Sequence, residues 1–191
     1  MTHFAVALRD FRLAIDDRTE IRLAHEADAD EVFAVVERNW QNLRYWLPRL
    51  PGAPTLDDTV DYLRDGERDM NEQTGFHALV VAGSAIIGGM RMKPIDWDNR
   101  WTVISFWLDR KHWGRGIATK AVRAFTEYAF EGLELHRVEI RTPAGNERSE
   151  ALAQRLGFKL EGTLREVIQT KGRFVDNRIY AMLREEWEAK S

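Results

Sequence analysis

Two short stretches of this chain combine residue types and spacings that can do chemistry. The first is Lys111-His112-Trp113-Gly114-Arg115-Gly116, with two glycines one residue apart. A β-branched and aromatic run, Trp101–Leu108, precedes it and reads as a strand. After it, Ile117, Ala121, Val122 and Phe125 recur at helical spacing. Glycines at a strand-to-helix junction let backbone N–H groups approach a ligand closely. The unpaired donors of the helix's first turn then favour an anion such as a pyrophosphate. Arg110, Lys111, Arg115 and Lys120 surround the turn, opposed by Asp109. The second stretch is Asn146-x-x-Ser149, at the start of another expected helix, where side chains three residues apart share a face.

Each stretch has competing readings. The first is also compatible with a tight turn beside a solvated basic face. A dinucleotide-binding turn fails on spacing, because Thr119 stands where the third glycine belongs, and no Gly-Lys-Ser/Thr follows to make a Walker loop. In the second, Asn146 can simply cap its helix while Ser149 faces solvent.

The elements that must position these residues form one domain. The chain has 191 residues, 44% hydrophobic and 31% charged, the balance of an ordinary globular protein. A net charge of −3 argues against a nucleic-acid binder, and no apolar run reaches membrane-spanning length. There is no cysteine, so thiolate nucleophiles, disulfides and Cys-based zinc are excluded; no metal is expected. No signal peptide is visible, which makes the cytoplasm the expected compartment. Residues 1–19, with Phe4, Val6, Leu8 and Phe11 as a candidate edge strand, are read as an N-terminal extension, and 20–191 as a single domain. Within that domain a short strand over Glu20–Leu23 precedes a helix with Val32, Phe33, Val36 and Trp40 inward. Thr55-x-x-Asp58 opens another helix with Leu56, Val60 and Leu63 inward. A strand meander over 76–108 follows, with Pro94–Arg100 as a connection. Next come the helix from Gly116, a strand at 137–142, a helix at 146–156 ended by Gly157, and a hairpin turning at Lys171-Gly172-Arg173. This order predicts an α+β fold: a mixed, mostly antiparallel sheet flanked by helices, with one right-handed strand–helix–strand crossover over 101–142.

Lys111-x-x-Gly114-x-Gly116 resembles the acyl-CoA loop of the GNAT acetyltransferases, [QR]-x-x-G-x-[GA], with Lys at the first position. Further stretches are similar to the Rim-type branch, the ribosomal-protein N-terminal acetyltransferases: Leu43–Pro48, Phe106-Trp107-Leu108, Leu135–Glu139, Asn146–Ser149, Arg155–Phe158 and Glu161-Gly162. The resemblance runs from about Ile21 to Leu183. It implies the GNAT acyl-CoA N-acyltransferase fold, in which the two parallel strands of the crossover splay apart and the pantetheine arm pairs in the gap.

It further implies acetyl-CoA as co-substrate and direct transfer to a primary amine, most simply a protein N-terminal α-amine. Small amines (a polyamine, an amino acid, an antibiotic) are the alternative acceptors, and a non-catalytic acetyl-CoA sensor is the alternative outside enzymes. The implied cofactor-binding residues are Phe106, Trp107, Leu108, Lys111, His112, Trp113, Gly114, Arg115, Gly116, Ile117, Ala118, Thr119, Asn146 and Ser149. In the implied chemistry, Asn146 holds the pantetheine arm or its loop, and Ser149 protonates the departing thiolate. Tyr45 and Trp46, with the final hairpin 164–178, wall the acceptor groove, and Glu139 and Glu166 are candidate bases. The acids Asp57, Asp58, Asp61, Asp65, Glu67 and Asp69 either solvate a helix or attract a cationic acceptor. Seven tryptophans and the habit of the branch suit a homodimer.

Overall fold

The structure, a computed structural model, describes residues 8, 11–46, 53–170 and 172–189. Phe4 and Val6, Leu47 and Pro48, and Lys171 lie outside them. The strands are β1 (Arg12–Asp16), β2 (Thr19–Leu23), β3 (Phe76–Ala82), β4 (Ala85–Asp96), β5 (Trp101–Leu108), β6 (Arg137–Pro143), β7 (Lys159–Thr170) and β8 (Arg173–Leu183). They form one sheet in the order β1-β2-β3-β4-β5-β6-β8-β7, and every pair is antiparallel except β5–β6. The helices are α1 (Ala29–Leu43), α2 (Leu56–Asn71), α3 (Ile117–Glu127), α4 (Glu147–Leu156) and α5 (Arg184–Glu188).

Strand alternation sorts the core into two layers. On one face Met90, Met92, Ile104, Val138, Ile140, Tyr180 and Met182 pack under α3, α4 and α5. On the other, Leu79, Val81 and Ile86 pack under Val32, Val35 and Leu63 of α1 and α2. Those two helices cover β3 and β4 and stop short of β6 and β8, so the far half of that face carries no helix among the described residues.

Several boundaries differ from expectation. Leu8 and Phe11, placed in the extension, are core residues; Phe11 sits 4.8 Å from the Tyr128 ring and 5.3 Å from that of Phe76, and the edge strand begins just after it. β4 continues through Pro94 to Asp96, because Pro94 falls where the β4–β5 register shifts and no ladder N–H is needed. The expected helix 116–130 ends at Glu127 and passes into a π-turn over Tyr128–Gly132. In α1 the inward stripe is Val32, Val35, Asn39 and Leu43, rotated from the predicted one. A polar residue, Asn39, takes an inward position because its amide has partners there. In α2 Leu63 is inward as expected, but Leu56 is 39% exposed. The Thr55–Asp58 capping box is formed.

His77 on β3 is 3% exposed, stacked on Tyr62 at 4.2 Å, and its two ring nitrogens have no hydrogen-bond partner among the described residues. Burial, and secondarily Arg91, push its pKa down to about 4 against the opposing pull of Asp69. The unfolded chain takes up this proton near pH 6.5, whereas the folded chain resists it until about pH 4. Stability is therefore unaffected above pH 6.5 and falls as pH drops through that window, by on the order of 3 kcal/mol in all. Urea titrations at pH 7.5 and 4.5 are expected to show the loss, and His77→Leu to remove most of the pH slope.

Candidate active site

The β5–β6 pairing runs from Trp101↔Arg137 to Ile104↔Ile140 and stops. Beyond it β5 keeps its outer neighbour to Gly88↔Leu108, and β6 keeps its own to Pro143↔Asn177. Ser105–Leu108 and Arg141–Pro143 thus lose each other but not the sheet. Backbone groups left facing a gap want a partner, and an extended ligand with amides supplies one. Trp113 Nε1 donates to the Leu108 carbonyl at 2.8 Å, closing the far end of the gap. Phe106 and Trp107 are half-buried and point to opposite faces. Trp107 lies so close over β4 that a Cβ on Gly89 would come within 2.5 Å of its Nε1.

The loop after β5 is clamped to α1. Asp109, 2% exposed, accepts from Arg38 Nε (3.0 Å) and Nη2 (2.7 Å), Asn39 Nδ2 (3.0 Å) and the Lys111 N–H (3.2 Å). Asn39 Oδ1 in turn accepts from the Arg110 N–H at 3.0 Å. Burial opposes ionisation of Asp109, but Arg38, Asn39 and the Lys111 N–H outweigh it and hold the carboxyl below its usual range. Deleting the carboxylate leaves buried donors unpaired, which costs about 1–3 kcal/mol. Asp109→Ala is expected to lower the Tm in a thermal melt and, by loosening the loop, to weaken roughly tenfold the calorimetric affinity for any ligand that the loop holds. The clamp is invisible in sequence, since its halves lie about seventy positions apart.

Gly114 and Gly116 have φ of 75° and 76°, with nothing among the described residues within 4 Å of where a Cβ would sit. Gly116 is the N-cap of α3 and offers no side-chain acceptor, so the first-turn N–H groups of Ile117, Ala118 and Thr119 remain available for a ligand. Lys111, Gly114, Arg115 and Gly116 are exposed; His112, Trp113, Ile117, Ala118 and Thr119 are half-buried. An exposed concavity of backbone donors ringed by cations fits a pyrophosphate.

Across the gap stands α4. Asn146 is its N-cap, its Oδ1 accepting from the Ser149 N–H at 3.3 Å, so the capping role is real. Its Nδ2 and the half-buried Ser149 hydroxyl have no partner among the described residues. Glu150 fixes the turn from behind, taking the Gly145 N–H at 3.1 Å and pairing with Arg178. Two arginines tie α4 to the loop side: Arg148 lies 4.2 Å over the Trp113 ring, and Arg155 donates to Thr119 Oγ1 at 3.3 Å. Neither contact was expected from sequence, although Arg148 and Arg155 are spaced to share a helix face.

On the opposite face the gap is flanked by Ser105, Trp107, Glu139 and Arg141. Glu139, a candidate base, is 6% exposed and fully engaged: Arg137 donates twice to its Oε1 and Arg141 to its Oε2. Glu166 is exposed in a β7 bulge at φ 50°, its N–H held by Asp176 Oδ1 at 3.0 Å. Asp176 also accepts the Ala144 N–H at 2.9 Å through its backbone, connecting that bulge to the turn before α4. Tyr45 and Trp46 reach the same side, where Thr170 Oγ1 of β7 donates to the Tyr45 carbonyl at 3.2 Å. Of the α2 acids, Asp58 is spent on its cap, Asp65 on Arg68 and Asp69 on Lys93. No group of three His, Cys, Asp or Glu among the described residues is placed to hold a metal.

Residues 18–159 match the model of the acetyltransferase (GNAT) domain family. Over 183 residues the chain is 32% identical to the putative ribosomal N-acetyltransferase YdaF of Bacillus subtilis (strain 168), covering 94% of this chain and 99% of that one. It is 32% identical over 175 residues to the ribosomal-protein-serine acetyltransferase of Escherichia coli (strain K12), covering 90% and 96%. Among solved structures, RimL, a ribosomal L7/L12 alpha-N-protein acetyltransferase in complex with coenzyme A, has the same fold, with a TM-score of 0.87 at 20% identity over 92% of this chain and 99% of that one. The parted strand pair, the glycine turn and the agreement along nearly the whole chain lead to one assignment: this protein belongs to the GNAT acetyltransferase family and uses acetyl-CoA as its acetyl donor.

Proposed function

We propose that the acceptor is the N-terminal α-amine of a protein, of the ribosomal-protein type. The observation that carries this reading is the parted end of the β5–β6 pair, which adjoins the half of the sheet face that carries no helix among the described residues. On that side Thr170 of β7 bonds the Tyr45 carbonyl, and Trp46 and Leu164 are 38% and 42% exposed, so Tyr45–Trp46 and the β7–β8 hairpin are the proposed flanks of the acceptor site. An extended peptide end suits a site flanked by exposed apolar side chains and a strand hairpin, whereas a small amine calls for a closed pocket. The two relatives named for ribosomal acceptors align along nearly their full lengths, which supports the same reading.

Acetyl-CoA supplies a thioester carbonyl, and this chain's residues do the rest. The loop and the first turn of α3 hold the diphosphate, and the free edges at Ser105–Leu108 and Arg141–Pro143 align the pantetheine amides. A backbone N–H of β5 at the gap stabilises the oxyanion. As the amine nitrogen bonds to the carbonyl carbon and the C–S bond breaks, Ser149 gives its proton to the departing sulfur and recovers one from solvent. An α-amine of pKa about 7.7–8.0 is partly neutral at neutral pH, so a water-mediated base suffices for its remaining proton. Glu166 suits that role better than Glu139, whose oxygens are committed to arginines. Mixing the enzyme with acetyl-CoA and a panel of serine- and alanine-starting peptides, spermidine and free amino acids, then reading free CoA, tests the proposal. Release with peptides supports it, and release with spermidine or amino acids alone overturns it.

The proposed compartment is the cytoplasm, where new protein N-termini are exposed. The proposed assembly is a homodimer, supported by the outermost strand β7, on which Leu160 and Val167 are 51% and 56% exposed. Sedimentation at micromolar concentration decides it.

A further inference from the structure

Two polar side chains on the face of the sheet that carries α1 and α2, Arg91 on the helix-covered half and Asn177 on the far half, lack hydrogen-bond partners among the described residues, one on each side of the gap. Arg91 of β4 lies directly across from Ser105, the first β5 residue past the last β5–β6 pair. It is half-buried, and among the described residues its buried Nε has no acceptor and its guanidinium no carboxylate partner. Its cross-strand neighbour on the other side is the uncharged His77. Arg137 and Arg141, the other guanidiniums on this face near the gap, are taken by Glu139. Asn177 of β8 stands opposite Pro143, the last paired residue of β6, and is 9% exposed, its buried Oδ1 without a partner among the described residues. Its other cross-strand neighbour is the exposed Leu164.

A buried donor and a buried acceptor left open cost free energy unless something completes them. Here the donor and the acceptor flank the place where the amine must attack. A peptide's first linkage offers the matching pair, a carbonyl oxygen and an N–H. Three strand spacings and a two-residue offset set the two Cα positions about 16 Å apart, and the parting of β5 and β6 adds to this; a long arginine, a short asparagine, one extended peptide unit and the two hydrogen bonds can reach across such a span. We propose that Arg91 and Asn177 grip the first peptide bond of the acceptor, the Arg91 guanidinium donating to its carbonyl and the Asn177 side-chain carbonyl accepting its N–H. This rests on the N-terminal acceptor reading and sharpens it. The pair selects a peptide over any amine lacking that linkage, and Arg91 repels a polyamine outright.

The test compares a serine-starting tetrapeptide amide with its alkene isostere, which keeps the primary amine and the shape but replaces the first peptide bond by C=C. The wild-type enzyme is expected to prefer the peptide by about 30-fold or more in kcat/KM. Arg91→Met and Asn177→Leu are each expected to raise the peptide KM about tenfold, leave acetyl-CoA affinity in calorimetry unchanged, and shrink the preference; the double variant erases it. Turnover of peptide and isostere alike by the wild type overturns the grip while leaving the N-terminal reading standing. Turnover of spermidine with neither peptide overturns both. Variants that lose acetyl-CoA affinity while keeping the preference also overturn it, since that marks a structural role.

Discussion

Gly116→Glu is expected to abolish measurable acetyl-CoA binding in calorimetry, with Gly116→Ala falling far less. The two substitutions separate strain from charge. Gly116 sits at φ 76° and ψ −4°, left-handed backbone that costs an L-residue about 1–2 kcal/mol. Nothing among the described residues lies within 4 Å of a Cβ there, so alanine meets no clash with them and should cost mainly stability. Glutamate adds a carboxylate at the positive end of α3, where the free N–H groups and Arg115 would otherwise face a phosphate. Its own carboxylate can occupy those donors, and its charge repels the diphosphate in a site where several phosphate contacts act together. A loss of about a hundredfold or more follows, against a few-fold for alanine. Unchanged affinity in the glutamate variant would remove the diphosphate from this turn.

Much of this site was legible in the chain because its parts are contiguous. Gly114-x-Gly116 lies between a strand and a helix that both announce themselves by period, and Asn146-x-x-Ser149 follows another strand directly. The meander and final hairpin were equally plain, since glycine turns at Gly83 and Gly172 separate apolar runs. What escaped reading is long-range or polar and buried. Asn39 occupies an inward position of α1 that a hydrophobic pattern assigns to an apolar residue, and only the fold brings Asp109 to it. Glu139 reads as a free surface carboxylate until Arg137 and Arg141, two residues away on either side, are seen to converge on it on one face of β6. The N-terminal segment lacks a clear period because β1 is an edge strand, with alternation too shallow to register while Leu8 and Phe11 enter the core. The short helix α5 is invisible for a related reason: one turn gives no periodicity, yet it brings Trp187 under Phe130.

The two helices facing each other over the gap divide the labour, and Ser149→Ala is where that division shows most sharply. The variant is expected to lower kcat by about a hundredfold, the usual scale for a lost general acid, while the acetyl-CoA KM stays within roughly threefold. Ser149 has no hydrogen bond through its hydroxyl among the described residues, so alanine removes no structural contact. Its backbone N–H still bonds Asn146 Oδ1, and the cap of α4 survives. Asn146→Ala should behave in the opposite way: loss of the cap costs about 1 kcal/mol of stability, and the turn before α4 loosens, so the acetyl-CoA KM rises more than kcat falls. A further readout separates acid catalysis from mere packing at Ser149. A thiol of pKa near 8.5 leaves as the thiolate without help once the solution is more alkaline than that. The kcat deficit of Ser149→Ala should therefore narrow between pH 7 and pH 9.5, and Ser149→Thr, which keeps a hydroxyl, should recover part of the rate. A deficit that is constant across that range would assign the effect to packing and leave the sulfur to take its proton from water.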